Sequence, residues 1–415
     1  MIPNVVSQHL EDAASQRTVR SVLTRAPHVR LLHLGRLDER LAANLDGLSI
    51  AGEGGVRMVQ ASLASPSAGA LFVAAVSALA HRDLGRIDRL LALTDAVPDA
   101  LRALASAFGW VSAADLRGIA TPLLASSEPM HRWLGIAACA LHRVDPGAAL
   151  ASALEQPHAL LRSRALQGAG ELGRRDLLSI CLAHLIDDDA ACQFAAARSA
   201  VLLGDDRQAP QALQHIALTP GPSQRAALAL SVLRADPEAA RALVRQLTTQ
   251  DAPLRTLIRA AGLAGDSKVV PWLIKHMSDD VHTRLAGESF SCITGLDLAA
   301  LNLERKPPEG DGNGPSDDPS DDNVAMDEDD RLPWPDADKI ATWWRANGHR
   351  YAPGTRYFMG EPPSPAHCLA VLRTGFQRQR IAAADYLSLM KPGTPLFNIA
   401  APAWRQERQL AQLGV

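Results

Sequence analysis

Aromatic residues are scarce in this chain, at 4% of the total, although hydrophobic residues reach 47%. The apolar content is therefore Ala, Leu and Val, which suits helices packed closely through small side chains and argues against a core built on large rings. Cysteine is sparse too. Cys139, Cys181, Cys192, Cys292 and Cys368 are odd in number and form no CxxC pair, a pattern that fits a reduced compartment rather than a disulfide framework. Four of them fall in apolar helical contexts, and Cys139 and Cys192 lie on a packed stripe, where a free thiol behaves as a small, inert hydrophobe. Long apolar runs are missing as well. The longest uncharged one, Ala68 to Ala80, is too short to cross a bilayer. The N-terminal residues enter a charged amphipathic stretch without a basic-then-apolar signal pattern. A cytoplasmic protein with no membrane partner is expected.

Catalytic signatures are equally absent. There is no GxxxxGK[ST] phosphate loop, no GxSxG elbow and no HExxH pair, and Gly52-Glu53-Gly54-Gly55 reads as a turn. The thirteen histidines are scattered; His184, His215 and His276 fall on predicted helices as satisfied or surface side chains. Asp187-Asp188-Asp189 has the charge for a divalent ion, but carboxylates at a helix start have a simpler role as caps. Neither a cofactor nor a metal is expected, and the chain reads as a non-enzyme.

Charge is unevenly placed. Between Glu309 and Asp330 there are ten carboxylates and no Lys or Arg; subtracting them from a formal net charge of −3 leaves +7 for the rest. Residues 303–332 are rich in Pro, Gly, Ser and Asp, and that composition predicts a disordered acidic linker.

A ladder of aspartates runs through the middle of the chain: Asp83, Asp115, Asp145, Asp176, Asp205, Asp236, Asp266 and Asp297, at intervals of 29 to 32 residues. Each follows an Ala/Leu-rich segment with apolar and small residues at helical spacing, such as Leu161, Ala165, Ala169 and Leu172. The unit reads as a helix pair. Its second helices are predicted at Met130–Arg143, Ala159–Gly173, Ala190–Gly204, Ser223–Arg234, Pro253–Gly265 and Val281–Gly295. A helix pair of thirty residues cannot bury its apolar face alone, so the pairs are expected to stack. The fold class that follows is all-α, a right-handed α-solenoid of HEAT-like helix pairs over 53–302. Residues 1–52 form an N-terminal helical cap, with helices at Val5–Thr24 and Val29–Ile50. Residues 333–415 hold ten of the seventeen aromatics and form a C-terminal helical cap that includes the pair Pro365–Thr374 and Gln377–Met390.

The repeat pattern resembles HEAT-like repeats in general, and the two ends are more specific. Leu37-Asp38-Glu39-Arg40-Leu41, continuing through Asn44-Leu45-Asp46-Gly47-Leu48, resembles the opening signature of an uncharacterised bacterial HEAT-like family encoded with type VI secretion genes. Leu332-Pro333-Trp334-Pro335, Trp343-Trp344, Gly354-Thr355-Arg356-Tyr357, Gln377-Arg378-Gln379-Arg380 and Trp404-Arg405-Gln406 resemble its closing motifs. The resemblance implies a binding protein whose partner is a type VI secretion toxin or spike component. An immunity protein against a co-encoded toxin and an adaptor or chaperone for loading cargo are the two roles that setting implies.

Candidate binding residues are the arginines of the second helices and the acidic linker: Arg132, Arg162, Arg225, Arg255 and Arg284 with Asp317, Asp318, Asp321 and Asp322. A basic helical face also suits nucleic acid, and Trp343-Trp344-Arg345 with His349-Arg350-Tyr351 has the composition of a base-stacking surface. A ten-carboxylate segment would repel DNA, no catalytic pocket is evident, and rings can equally pack as a cap under arginines. A protein partner is therefore the reading, with a HEAT-like enzyme or nucleic-acid binder as the outside alternative.

Overall fold

The computed structural model describes residues 2–94, 96–97, 99–308 and 327–414. Helix accounts for 68% and no strand is present among the described residues, only isolated bridges. Two long helices open the chain, α1 (Pro3–Leu23) and α2 (Leu31–Ile50), followed by α3 (Glu53–Ser62), α4 (Ala68–Ala80), α5 (Leu84–Leu91) and α6 (Ala100–Trp110). Next come α7 (Ala120–Ala125), α8 (Pro129–His142), α9 (Ala148–Leu154), α10 (Ala159–Leu172), α11 (Leu178–Ala183) and α12 (Ala190–Leu203). The series continues with α13 (Gln208–Leu218), α14 (Gln224–Arg234), α15 (Pro237–Thr249), α16 (Leu254–Ala264), α17 (Val270–His276) and α18 (Thr283–Thr294). Beyond residue 326 lie α19 (Ala337–Asn347), α20 (Pro365–Thr374), α21 (Gln377–Met390) and α22 (Ala403–Gln412).

The chain divides into two compact units. The first comprises Met1–Arg25, Arg30–Pro210 and Lys391–Val415; the second comprises Ala26–Val29 and Gln211–Met390. In the first unit α4, α6, α8, α10 and α12 pack each on the next, with α1 against α2 and α4, and α9 and α11 flanking α10 and α12. In the second, α14, α16 and α18 pack in series, flanked by α15 and α17, while α21 packs on α14 and α20 on α21. Small residues allow this approach. Ala165, Ala169, Ala196 and Ala200 are fully buried. A side chain at Gly170 would meet Ser199, and one at Gly262 would meet Ser289, each at under 3.0 Å. The same two serines reach across and donate to backbone carbonyls, Ser199 to Leu166 at 2.7 Å and Ser289 to Ile258 at 3.0 Å. Both units thus close their helix contacts with the same device.

Four rungs of the aspartate ladder do what carboxylates do at helix starts. Asp83 accepts from the Arg86 amide, Asp236 from the amides of Glu238 and Ala239, Asp205 from Ala209 and Asp266 from Lys268. Asp187 and Asp189 are also engaged: Asp187 binds Arg162 and His184, and Asp189 caps α12.

The last four carbonyls of each helix need donors, and here the C-terminal part of the chain supplies them. In the first unit Arg405 donates to Gly109 and Val111, Asn398 to Leu141, and the amides of Leu396 and Gly393 to Glu171 and Leu202. In the second, Arg356 donates to Val232, Leu233 and Ala264, and the amides of Tyr357, Met359 and Gly360 to Gly265, Cys292 and Ile293. Gly173 and Gly265 end their helices at positive φ, and a Cβ at either would lie 2.1–2.2 Å from a carbonyl oxygen of this segment. The close approach needs glycine on both counts. Residues 333–415, read from sequence as one closing cap, are in fact shared between the units and run along helix C-termini. Only α19, packed on α17, with Trp343 and Trp344 set edge-on to Phe290, fits the simpler expectation.

The acidic linker also needs correction at its ends. Residues 303–308 and 327–332 are part of the fold: the Arg305 amide donates to Trp334, that of Asp336 to Leu303, and that of Leu332 to Asp329. Composition counts apolar surface and misses a segment held by ion pairs and backbone bonds. Residues 309–326, and with them Asp317, Asp318, Asp321 and Asp322, lie outside the described residues.

Candidate partner-binding site

Five candidate arginines were placed on second helices by sequence, and the second unit brings three of them together. Arg225, Arg255 and Arg284 stand in the first turns of α14, α16 and α18, and Arg378 stands in the first turn of α21. Arg259 lies one turn beyond Arg255. The N-terminal ends of these four helices add to the positive field. Glu288 is the carboxylate that α18 contributes, paired with Arg378 at 2.6 Å.

Into this group of cations the chain inserts its own Asp327-Glu328-Asp329. Asp329 takes both Arg255 nitrogens, at 2.6 and 2.7 Å, in a bidentate fork, and its side chain is 4% exposed. Glu328 bonds Arg259 at 2.7 Å and Arg225 and Arg255 at 3.2 Å. Asp327 pairs with Arg284 at 2.7 Å. The backbone is bound as well: Arg378 donates to the Glu328 carbonyl, Arg284 to that of Asp329 at 3.3 Å, and the His28 ring lies 3.0 Å from that of Asp330. Trp334 then fits between Arg284 and Arg305, whose guanidinium carbons stand 4.8 and 5.1 Å from its ring.

Titration follows this geometry. Burial would raise the Glu328 carboxyl, but the Arg259 bond and the charges of Arg225, Arg259 and Arg255 outweigh it and bring it to about 2. Burial pushes Glu288 up, with Arg378 only partly offsetting it. Burial and neighbouring cations lower Arg225 and Arg259, so these guanidiniums gain from any carboxylate brought to them.

The other two candidates have separate roles in the first unit. Arg162 makes a two-point bond to Asp187 at 2.7 and 2.8 Å and donates to the carbonyls of Gln156 and Pro157. Arg132 donates to Ser152 Oγ at 3.1 Å. Neither joins the groove. Arg259, Arg378, Glu288 and the 327–329 turn were not among the candidates chosen from sequence. Arg378 carried a signal, since Gln377–Met390 echoes the repeat and puts an arginine at the same place in its first turn.

The first unit has its own concavity, lined in part by Trp110, Trp404, His142, Arg143 and Arg405. Two of its cations are spent on backbone carbonyls, Arg405 on Gly109 and Val111 at the end of α6 and Arg143 on Leu396 in the loop before α22. The thiols are removed from chemistry by burial, which pushes Cys181, Cys192 and Cys292 up to about 12. The tryptophans with the composition of a base-stacking surface are packed: Trp343 lies 6.1 Å from Phe290, Trp344 lies against Tyr351, and Tyr351 against Tyr357, at 5.3 and 5.0 Å. What the groove of the second unit can do chemically is hold carboxylates and the peptide backbone that carries them.

No protein-family model matches the chain, and no curated protein or solved structure is detectably similar to it.

Proposed function

We propose that this protein is a binding scaffold, a right-handed solenoid of HEAT-like helix pairs that acts in the cytoplasm beside a type VI secretion system. Its partner is another protein, and the role we assign is immunity against a co-encoded toxin; loading of cargo onto the secretion spike is the alternative role within the same class. The observation that carries the reading is the groove on α14, α16, α18 and α21, where five arginines converge on a peptide turn and bind both its carboxylates and its carbonyls. The terminal motifs that resemble the secretion-associated family support the setting.

The test is expression beside the toxin encoded next to it. Immunity requires that the chain restore growth and co-purify with the toxin at a fixed ratio. Unrestored growth with normal co-purification would transfer the role to loading. Failure to bind either toxin or spike would end the reading.

A further inference from the structure

We propose that the arginine groove is a receptor for an acidic segment of the partner, and that Asp327-Glu328-Asp329 occupies it intramolecularly until that segment displaces it. The inference rests on the binding-scaffold reading and names the chemistry of its partner.

The first argument is charge. Among the described residues, Arg225, Arg255, Arg259, Arg284 and Arg378 would without the turn face Glu288 alone, five cations against one carboxylate. Such a surface is built to be filled by anions, and its occupant here comes from 43 to 103 residues away along the chain. The second argument is the kind of anion. Phosphate or nucleic acid offers oxygens in tetrahedral clusters; this groove instead places donors on the consecutive carbonyls of Glu328 and Asp329, with the His28 ring at that of Asp330. It reads a peptide main chain with an acidic side chain on each residue. The third argument is that the occupant is not fully committed. Glu328 is half exposed, at 52%, and so is Arg225, at 54%. The Nε atoms of Arg259 and Arg378 are buried without a hydrogen-bond partner among the described residues. Exposed ion pairs of this kind contribute little and exchange readily, whereas Asp329 in its fork holds the turn in register. A competitor can therefore begin at the Glu328 side and displace the turn from that end.

The test uses the full-length chain and a fluorescein-labelled peptide Asp-Glu-Asp-Asp-Arg-Leu, the sequence of residues 327–332. Anisotropy is followed for the wild type, for Glu328→Ala with Asp329→Ala, and for that variant with Arg255→Ala and Arg259→Ala added. Emptying the groove should tighten peptide binding by about tenfold or more, because the wild-type site is competent only in the fraction of molecules whose turn is undocked. Adding the arginine changes should abolish it. If circular dichroism shows that the alanine variant does not fold, Glu328→Gln with Asp329→Asn empties the charge while keeping the shape. No binding to the emptied groove would overturn the proposal, as would tighter binding of a single-stranded oligonucleotide of equal charge. The co-encoded toxin is then titrated against the wild type and against Arg255→Ala with Arg259→Ala. Weaker binding to the arginine variant supports the groove. Equal binding sinks the groove and leaves the scaffold standing, and binding to neither chain sinks both.

Discussion

The two units use the same kind of arginine for different ends. Arg162 in the first unit and Arg284 in the second both stand eleven residues before the glycine that ends their helix, Gly173 and Gly295. Arg162 finds its carboxylate 25 residues on, in Asp187, just before the second helix of the next pair. Arg284 belongs to the last pair before the long acidic insertion, and the carboxylate that meets it is Asp327, 43 residues on. In the first case the ion pair is a brace between neighbouring repeats, closed on both sides by protein. In the second the partner comes from a segment with no repeat of its own, and Arg225, Arg255 and Arg259 use the same segment. The difference teaches that, on the proposed reading, a brace of this kind becomes a binding site where a segment from elsewhere in the chain supplies the acid.

Breaking the brace should cost most. Arg162→Ala leaves Asp187, 5% exposed, without its main counter-charge, and unfolding free energy should fall by about 3 kcal/mol. Denaturant unfolding checks this; a loss under about 0.5 kcal/mol, the scale of an exposed pair, would make the brace no different from the groove.

Overpacking tests where the units agree. Ala169 and Ala261 each precede a glycine that touches a serine of the next helix, and both are buried. Ala169→Phe and Ala261→Phe should each lower stability by roughly 1–3 kcal/mol. A neutral result at only one of them would show that the two stacks are not built alike.

Much of this was legible in advance, for reasons that differ by feature. The second helices appear within a residue or two of their predicted limits because small residues at helical spacing leave only one face to bury. The two C-terminal helices, Pro365–Thr374 and Gln377–Met390, match fully. The groove was half legible: Arg225, Arg255 and Arg284 were chosen, but nothing local says that Asp329 is their partner, since a carboxylate among ten in a polar run carries no mark of which cation it will meet. The family-like motifs were visible but their work was not. Asp38 is fully buried between Arg20, at 2.5 Å, and the amide of Ala403, at 2.8 Å, while Arg356 and Arg405 bind helix-end carbonyls. Asp38, Arg356 and Arg405 hold the fold together, whereas Arg378, in the motif Gln377-Arg378-Gln379-Arg380, stands in the groove.

Removing a groove arginine should do little to stability and much to binding, the inverse of Arg162→Ala. Arg225 and Glu328 are both about half exposed, so Arg225→Ala should cost no more than about 1 kcal/mol. Affinity for the partner should fall measurably in the same variant. A large loss of stability would mean that Arg225 is a brace after all.

The smallest expected effect is the pH dependence of docking in the second unit. Glu328 has its carboxyl at about 2 in the folded chain, against an ordinary value of 4.5. The docked form therefore prefers the ionised carboxylate, and its contribution is complete above about 4.5 and lost as pH falls toward about 2. Glu288 in the same cluster is shifted the other way by burial, so its protonation on acidification relieves a penalty and opposes the loss. Among the described residues, the other charged groups facing Glu328 are arginines 225, 255, 259 and 378 with Asp327 and Asp329. Trp334, stacked between Arg284 and Arg305 just beyond the turn, reports the docking. The difference in fluorescence between wild type and Trp334→Phe should change as pH falls from 5 to 2, and Glu328→Gln should flatten that change. In the Arg162–Asp187 brace, Asp187→Asn should leave the Trp334 signal untouched; if it alters the signal as much as Glu328→Gln does, the acid response belongs to global unfolding and the separation between brace and groove fails.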